Sequence, residues 1–148
     1  MPRQSPAVGQ AKPHRRTRAD HATELAEDYV EAIAEIEAEA GVCRAVDLAT
    51  RFAVSAVTVN RTIGRLCRDG LAETAPYKPV TLTRRGRDLA RRSAKRHQTV
   101  YRFLRSIGVS ETTAAIDTEG IEHHVSRETL ERLAAITAER EQASGRAS

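Results

Sequence analysis

The chain has 148 residues, of which 40% are hydrophobic and only 3% aromatic, with no Trp. This length fits one compact unit or two small subdomains, and the composition favours a mainly helical core of Leu, Ile, Val and Ala. No apolar stretch could span a membrane and the N-terminus lacks a hydrophobic signal region, so we expect a cytoplasmic protein with no membrane partner. Cys43 and Cys67 lie far apart, which predicts reduced thiols rather than a disulfide framework.

Charge is arranged in blocks, although the net charge is only +4. Residues 1–20 carry a net +4, residues 21–43 a net −7, residues 44–96 a net +9 and residues 97–148 a net −2. A basic centre between acidic segments is typical of a polyanion-binding module joined to a cation-binding one. The first block contains three prolines and no apolar periodicity, so we predict a disordered basic tail over residues 1–20.

A helix is predicted over residues 21–40, and Gly41 is expected to end it. Its apolar face carries Leu25, Tyr29, Ala32, Ile33 and Ile36. Asp28 projects along this apolar stripe and Glu31 follows three residues later. The other glutamates of the helix, Glu27 included, are interpreted as a solvated face.

The basic block predicts a helix-turn-helix followed by a two-stranded wing. A short helix over residues 45–52 precedes a turn, and Ser55 is a suitable N-cap for a third helix that ends near Asp69. The short helix contains the apolar residues Val46, Leu48, Ala49 and Phe52, and the third helix is expected to direct Val59, Ile63 and Leu66 inward. Short strands at Leu71–Thr74 and Val80–Leu82 would form the wing.

In a winged helix-turn-helix the second helix of the motif lies in the major groove of double-stranded DNA. The outward side chains suit this partner, because Asn60 and Arg61 can bond base edges and Arg65 suits phosphates. The predicted DNA-binding residues are Arg44, Val57, Thr58, Asn60, Arg61, Arg65 and Lys78. Winged helices also serve as protein-interaction modules, but the net +9 of this block favours DNA.

Three further helices are predicted in the C-terminal part. Thr83 caps a long helix that reaches Ile107, Ser110 opens a second helix and Ser126 opens the last. The inward stripe of the long helix is Leu89, Ser93, His97, Val100, Leu104 and Ile107. The last helix has Leu130, Leu133 and Ile136 apolar, and residues 143–148 are predicted to fray.

Two carboxylates and an imidazole recur at helical spacing in the run Asp117–His124. Glu119, Glu122 and His123 stand at i, i+3 and i+4, which places them on one helical face where a cation would offset their repulsion. Asp28 and His97 lie on apolar stripes, where a polar group needs a partner. The candidate metal ligands are therefore Asp28, Glu31, His97, Glu119, Glu122 and His123.

Oxygen and nitrogen donors without cysteine favour manganese or ferrous iron over copper or structural zinc. Six ligands exceed the usual share of one ion, so two neighbouring ions with bridging carboxylates are plausible. Each residue also has a simpler interpretation: Asp28 or Glu31 alone is most often a surface acid, and His97 alone a core histidine bonded to backbone.

Three motifs carry a resemblance to a known family. The stretches Glu27-Asp-Tyr-Val-Glu31, Lys95-Arg-His97 and Asp117-Thr-Glu-Gly-Ile-Glu-His-His124, with the helix-turn-helix between them, closely resemble the manganese transport regulators. These are the manganese-sensing branch of the diphtheria toxin repressor-like metalloregulators. Asp28 and Glu122 stand where the iron-sensing branch has methionine and cysteine. Pro79 departs from the glycine expected at the wing tip.

The resemblance implies a site for two Mn²⁺ ions per subunit built from the six residues, and a homodimer joined through the C-terminal helices. We therefore predict a winged helix-turn-helix domain at 21–92, a helical metal-binding and dimerisation domain at 93–142, and tails at 1–20 and 143–148. The expected function is a manganese-dependent repressor of manganese uptake genes that binds a palindromic operator.

Other functions remain open at this point. Fe²⁺ is the alternative metal, in an iron-responsive regulator of the same architecture. A carboxylate-type di-metal enzyme is disfavoured because helical di-iron sites use Glu-x-x-His pairs, which the sequence lacks. A metal-independent winged-helix regulator is the third alternative.

Overall fold

The structure, a computed structural model, describes residues 13–146, with side chains from residue 18 onwards. The described chain is mainly helical, with one small antiparallel sheet that pairs Ala72 with Leu82 and Glu73 with Thr81. The elements in chain order are α1 (Pro13–Ala40), α2 (Ala45–Phe52), α3 (Ala56–Arg68), β1 (Ala72–Glu73), β2 (Thr81–Leu82), α4 (Arg84–Ser106), α5 (Glu111–Ile121), a 3₁₀ turn (Glu122–His124) and α6 (Arg127–Arg146).

Side-chain caps and glycines define the helix ends much as the sequence predicts. The hydroxyls of Ser55 and Ser110 accept hydrogen bonds from the backbone N–H three residues later, at 3.2 and 3.3 Å. Gly41 and Gly108 follow α1 and α4 with φ of +84° and +95°, a backbone conformation that glycine adopts without strain. The predicted boundaries of α2 to α6 are confirmed to within a few residues.

The main core joins α1 to the helix-turn-helix and the wing. Tyr29 and Ile33 of α1 are buried together with Leu48 of α2 and inward side chains of α3 and the wing. The rings of Tyr29 and Phe52 stack at 4.4 Å between centroids, with planes 7° apart. The orientation of α1 is therefore coupled to that of the DNA-binding helices through close packing.

Helix α4 packs against α1, α5 and α6 and links the two halves of the molecule. Its first turn lies against the wing, where the Thr83 hydroxyl donates to the Gly70 carbonyl at 2.7 Å. A Cβ on Gly86 would lie 2.0 Å from the Leu71 carbonyl oxygen, so this contact requires glycine. Across the described residues, every helix is too short or too polar to cross a membrane.

Some predictions of the sequence analysis are wrong in detail. Helix α1 begins at Pro13 rather than at residue 21, so residues 13–20 are helical where a tail was expected. Leu25 and Ile107, which were placed on apolar faces, are 39% and 48% exposed, because periodicity selects a face of a helix without showing whether a neighbour covers it. Helix α6 continues to Arg146, whereas residues 1–12 and 147–148 of the predicted tails lie outside the described residues.

Candidate metal centre and DNA-binding face

The C-terminal acid–histidine motif folds differently from the expected single helical face. Helix α5 ends at Ile121, and Glu122 and His123 belong to the 3₁₀ turn that follows. The turn swings Glu122 inward, where it is 2% exposed, while Glu119 stays on the exposed surface.

His97 of α4 meets both of these carboxylates. Its Nδ1 atom lies 2.8 Å from Glu122 Oε2 and 3.6 Å from Glu119 Oε1. One possible ligand atom from each of these three residues lies within 4.8 Å of the other two, a spacing suited to a shared metal ion. The predicted ligands His97, Glu119 and Glu122 are therefore brought together in the fold.

Helix α1 supplies the opposite wall of the same site. Asp28 and Glu31 line an open cavity of about 360 Å³ together with His97, Glu119 and Glu122. His123 does not line this cavity, but its Nε2 atom lies 3.4 Å from Asp28 Oδ1 and 3.4 Å from Glu122 Oε1, two of the lining carboxylates. Five of the predicted ligands thus line one pocket and the sixth contacts two of them, although they come from α1, α4, α5 and the 3₁₀ turn.

Burial raises the pKa of three carboxyls in this pocket. Desolvation is the largest cause for Asp28, Glu31 and Glu122, and neighbouring acids add to it. The nearby histidines oppose the shift in each case, and for Glu31 the Ser93 hydroxyl, which donates to it at 3.0 Å, does so as well. Burial alone would lower the pKa of His123, but its hydrogen bond to Glu27 and the charges of Asp28 and Glu122 raise it.

The donor set fits a divalent cation. Glu122 Oε2 is buried without a hydrogen-bond partner among the described residues, because its short contact to His97 lacks hydrogen-bond alignment. A buried carboxylate oxygen left in this way is costly unless a cation completes its surroundings. Four carboxylates and two imidazoles suit manganese or ferrous iron better than softer metals.

Glu27 is the residue that the sequence analysis missed. It was interpreted as part of a solvated face, yet it is 5% exposed. Its carboxylate accepts hydrogen bonds from His123 Nδ1 at 2.9 Å and from Arg96 Nη1 at 3.1 and 3.3 Å. The sequence did contain one signal for a buried acid near the site. Arg96 directly precedes the predicted ligand His97, and a buried acid needs such a cationic partner.

A second surface, formed by α3 and the wing, carries the predicted DNA-binding side chains. All seven predicted residues are exposed, and Val57 remains 68% exposed at the start of α3. Arg44, Asn60 and Lys78 line a groove of about 550 Å³ between α3 and the wing. Gly64 also lines this groove.

Tyr77 at the wing tip is unusual in two respects. It is 99% exposed, and its φ of +62° lies in the left-handed region that bulky residues avoid. The Lys78 N–H donates to the Ala75 carbonyl at 3.0 Å, so Tyr77 occupies the turn position where glycine is usual.

Comparison with known proteins identifies the family. The model of the iron dependent repressor N-terminal DNA binding domain matches residues 21–80, and that of the iron dependent repressor metal binding and dimerisation domain matches residues 83–143. Transcriptional regulator MntR of Escherichia coli O157:H7 is 46% identical over 123 residues, covering 83% of this chain and 79% of the relative. The chain belongs to the iron-dependent repressor family.

Other iron-dependent repressor relatives agree with this assignment. HTH-type transcriptional regulator MntR of Bacillus subtilis (strain 168) is 36% identical over 107 residues, which are 72% of this chain and 75% of the relative. A solved manganese-dependent transcriptional repressor complex with manganese is 30% identical, with a TM-score of 0.67 over 76% of this chain and 52% of that one. The structure of IdeR from T. acidophilum has 26% identity, the same TM-score, and coverage of 76% and 53%.

The chain spans about half the length of these two solved structures. Both halves of the iron-dependent repressor architecture are nevertheless present, as a DNA-binding domain followed by a metal-binding and dimerisation domain. The protein is therefore a metal-responsive DNA-binding transcription regulator rather than an enzyme. The family and the fold class predicted from the sequence are confirmed.

Proposed function

We propose that the protein is a manganese-responsive repressor that binds DNA as a homodimer and controls manganese uptake genes. The observation that carries this proposal is the cluster of six oxygen and nitrogen donors in and beside one pocket, in which the buried Glu122 Oε2 atom lacks a hydrogen-bond partner among the described residues. Manganese is favoured because the set is rich in carboxylates and has no sulfur donor. The MntR name of the relatives in two bacterial groups supports the same metal.

The residues divide naturally between two ions. His123 contacts Asp28 and Glu122 Oε1, whereas His97 contacts Glu122 Oε2, so Glu122 has an oxygen facing each histidine. Glu119 lies 3.6 Å from His97, and Glu31 lines the same pocket. Bound cations would supply the positive charge that four closely spaced carboxylates require.

The chain itself provides the coupling to DNA. Helix α1 carries Asp28 and Glu31 on one side and Tyr29 and Ile33 in the helix-turn-helix core on the other. Phe52 of α2 borders the metal pocket and also stacks on Tyr29. When Asp28 and Glu31 are drawn toward α4 and α5, α1 loses freedom, and the packed helices α2 and α3 lose freedom with it.

A two-fold dimer would present two copies of α3 to the major groove. Such helices read half-sites about 34 Å apart, so the operator is proposed to be palindromic. In this arrangement Asn60 and Arg61 contact base edges, Arg44 and Lys78 contact phosphates, and the exposed Tyr77 packs against the sugar–phosphate backbone beside the wing.

The test is fluorescence anisotropy of a labelled duplex from the promoter region of the protein's own gene. Binding is measured with chelator and then with manganese, anaerobic ferrous iron and zinc in turn. Selective tightening with manganese is expected. Stronger tightening with ferrous iron would instead assign the protein as an iron-responsive regulator, and equal binding in all conditions would reject metal control.

A further inference from the structure

A buried carboxylate and an arginine lie directly behind the metal pocket. Glu27 precedes Asp28 on α1, and its Oε2 accepts a hydrogen bond from His123 Nδ1 at 2.9 Å. Arg96 of α4 donates to both oxygens of the same carboxylate, at 3.1 and 3.3 Å. The side chains of Glu27 and His123 are 6% and 8% exposed, so this chain of contacts is shielded from water.

The contact at Nδ1 determines what His123 offers on its other side. A neutral imidazole that donates through Nδ1 has its lone pair on Nε2. That nitrogen lies 3.4 Å from both Asp28 Oδ1 and Glu122 Oε1, two carboxylates that line the pocket. Metal-binding histidines commonly donate their second ring N–H to a carboxylate, which fixes the tautomer and the ring orientation.

We propose that Glu27 and Arg96 are positioning residues that hold His123 with its Nε2 lone pair aimed into the metal pocket. The proposal rests on the proposed metal-binding function of that pocket. Glu27 is not itself a ligand, because its two oxygens are already engaged by Arg96 and His123. Arg96 supplies the positively charged partner that a buried carboxylate needs.

A purely structural role is the competing explanation, since the Glu27–Arg96 pair also ties α1 to α4. The chain offers a matched control for this possibility. Glu37 and Arg87 join the same two helices at 3.1 Å, and the Glu37 side chain is 16% exposed. Neither residue borders the metal pocket, so loss of this pair reports the cost of an α1–α4 ion pair alone.

The experiment uses the full chain and the metal alone. Mn²⁺ affinity is measured from the EPR signal of the free ion, and the visible absorption of bound Co²⁺ reports ligand geometry. Glu27→Ala should weaken Mn²⁺ binding about 10- to 100-fold and alter the Co²⁺ bands. Glu27→Gln should recover part of the affinity, because its amide oxygen still accepts from Nδ1. Glu37→Gln should match the wild type in both measurements.

Wild-type affinity and an unchanged Co²⁺ spectrum in both Glu27 variants would overturn the proposal, whatever happens to thermal stability. If circular dichroism in chelator shows that Glu27→Ala is unfolded, the test uses the isosteric variant Glu27→Gln. Its Mn²⁺ affinity and Co²⁺ spectrum are then compared with those of Glu37→Gln. A Glu122→Gln variant distinguishes failure of the proposed metal site from failure of the positioning role alone. Unchanged affinity in Glu122→Gln would reject the pocket and the positioning role together, whereas loss there without loss in the Glu27 variants rejects only the positioning role.

Discussion

Glu122 shows how a single residue can be unfavourable for folding and still fit the proposed function. It is 2% exposed, one of its oxygens has no hydrogen-bond partner among the described residues, and burial raises its pKa. Such a group destabilises the metal-free chain at neutral pH, because folding must then bury a charge or take up a proton. Metal binding would remove this cost and displace the proton.

Replacement of Glu122 by Gln should therefore stabilise the metal-free protein at neutral pH. Because the pKa of Glu122 is raised in the folded chain, its protonated carboxyl contributes to folding stability. This contribution is fully present below the usual pKa of 4.5 and is lost as the pH rises through the raised pKa. Glu122→Gln remains neutral, so its advantage over the wild type should appear at pH 7 and vanish near pH 4. Thermal denaturation in chelator across this range measures the difference.

The exposed acid Glu139 of α6 provides the control for this comparison. Glu139→Gln should follow the wild-type stability at every pH. A Glu122→Gln protein that is no more stable than the wild type at pH 7 would show that the buried carboxylate has already found adequate partners in the metal-free fold.

The wing and the start of α4 are the elements where backbone geometry is most restrictive. Gly86 lets the first turn of α4 approach the Leu71 carbonyl, and Tyr77 holds a left-handed turn at the wing tip. The two residues have restrictive backbone geometry for different reasons. The glycine satisfies a packing requirement, whereas the tyrosine adopts a strained conformation that leaves its ring in solvent and contributes nothing to the core.

A methyl group at Gly86 should open the junction between the wing and α4. Its Cβ would lie 2.0 Å from the backbone of Leu71, which no side-chain rotation can relieve. We expect Gly86→Ala to lower the free energy of unfolding by about 3 kcal/mol, at the upper end for overpacking. In α6, a Cβ on Gly145 meets nothing within 4 Å, so Gly145→Ala should be neutral or slightly stabilising in the same chemical denaturation series.

Tyr77→Gly should separate stability from DNA binding. Glycine removes left-handed strain of about 1–2 kcal/mol, but its greater conformational freedom in the unfolded chain cancels part of this stabilisation. We therefore expect a chain at least as stable as the wild type that binds DNA about five- to tenfold more weakly. Tyr77→Phe, which keeps the ring, should retain most of the affinity. Unchanged DNA affinity for Tyr77→Gly in manganese would exclude the ring from the interface.

Elements with strong local signals were predictable from sequence, and those that depend on distant partners were not. The hydroxyl caps at Ser55 and Ser110 and the left-handed glycines at Gly41 and Gly108 are local, so the helix ends follow directly. The 3₁₀ turn at Glu122 and the burial of Glu27 depend on contacts between α1, α4 and α5. Periodicity alone carries no information about such contacts.

At the scale of the whole molecule, charge and packing separate DNA binding from metal binding while α1 and α4 connect them. Of the net +9 of residues 44–96, the part that contains α2, α3 and the wing (44–83) carries +3, and the first half of α4 (84–96), next to the wing, carries +6. Ile116 and Ile121 of α5 are 68% and 39% exposed in the single chain. They lie in the domain that the family model describes as the site of dimerisation, so a second copy is a suitable partner for this apolar surface.

The central claim is that the six-residue cluster controls DNA affinity. The most direct measurement is the dissociation constant for the promoter duplex, with manganese and with chelator, for the wild type and for Glu122→Gln. We expect manganese to tighten wild-type binding by a factor between about 5 and 150, the usual range of coupling between two sites, and to leave Glu122→Gln at the metal-free value. Equal tightening in both proteins would contradict it.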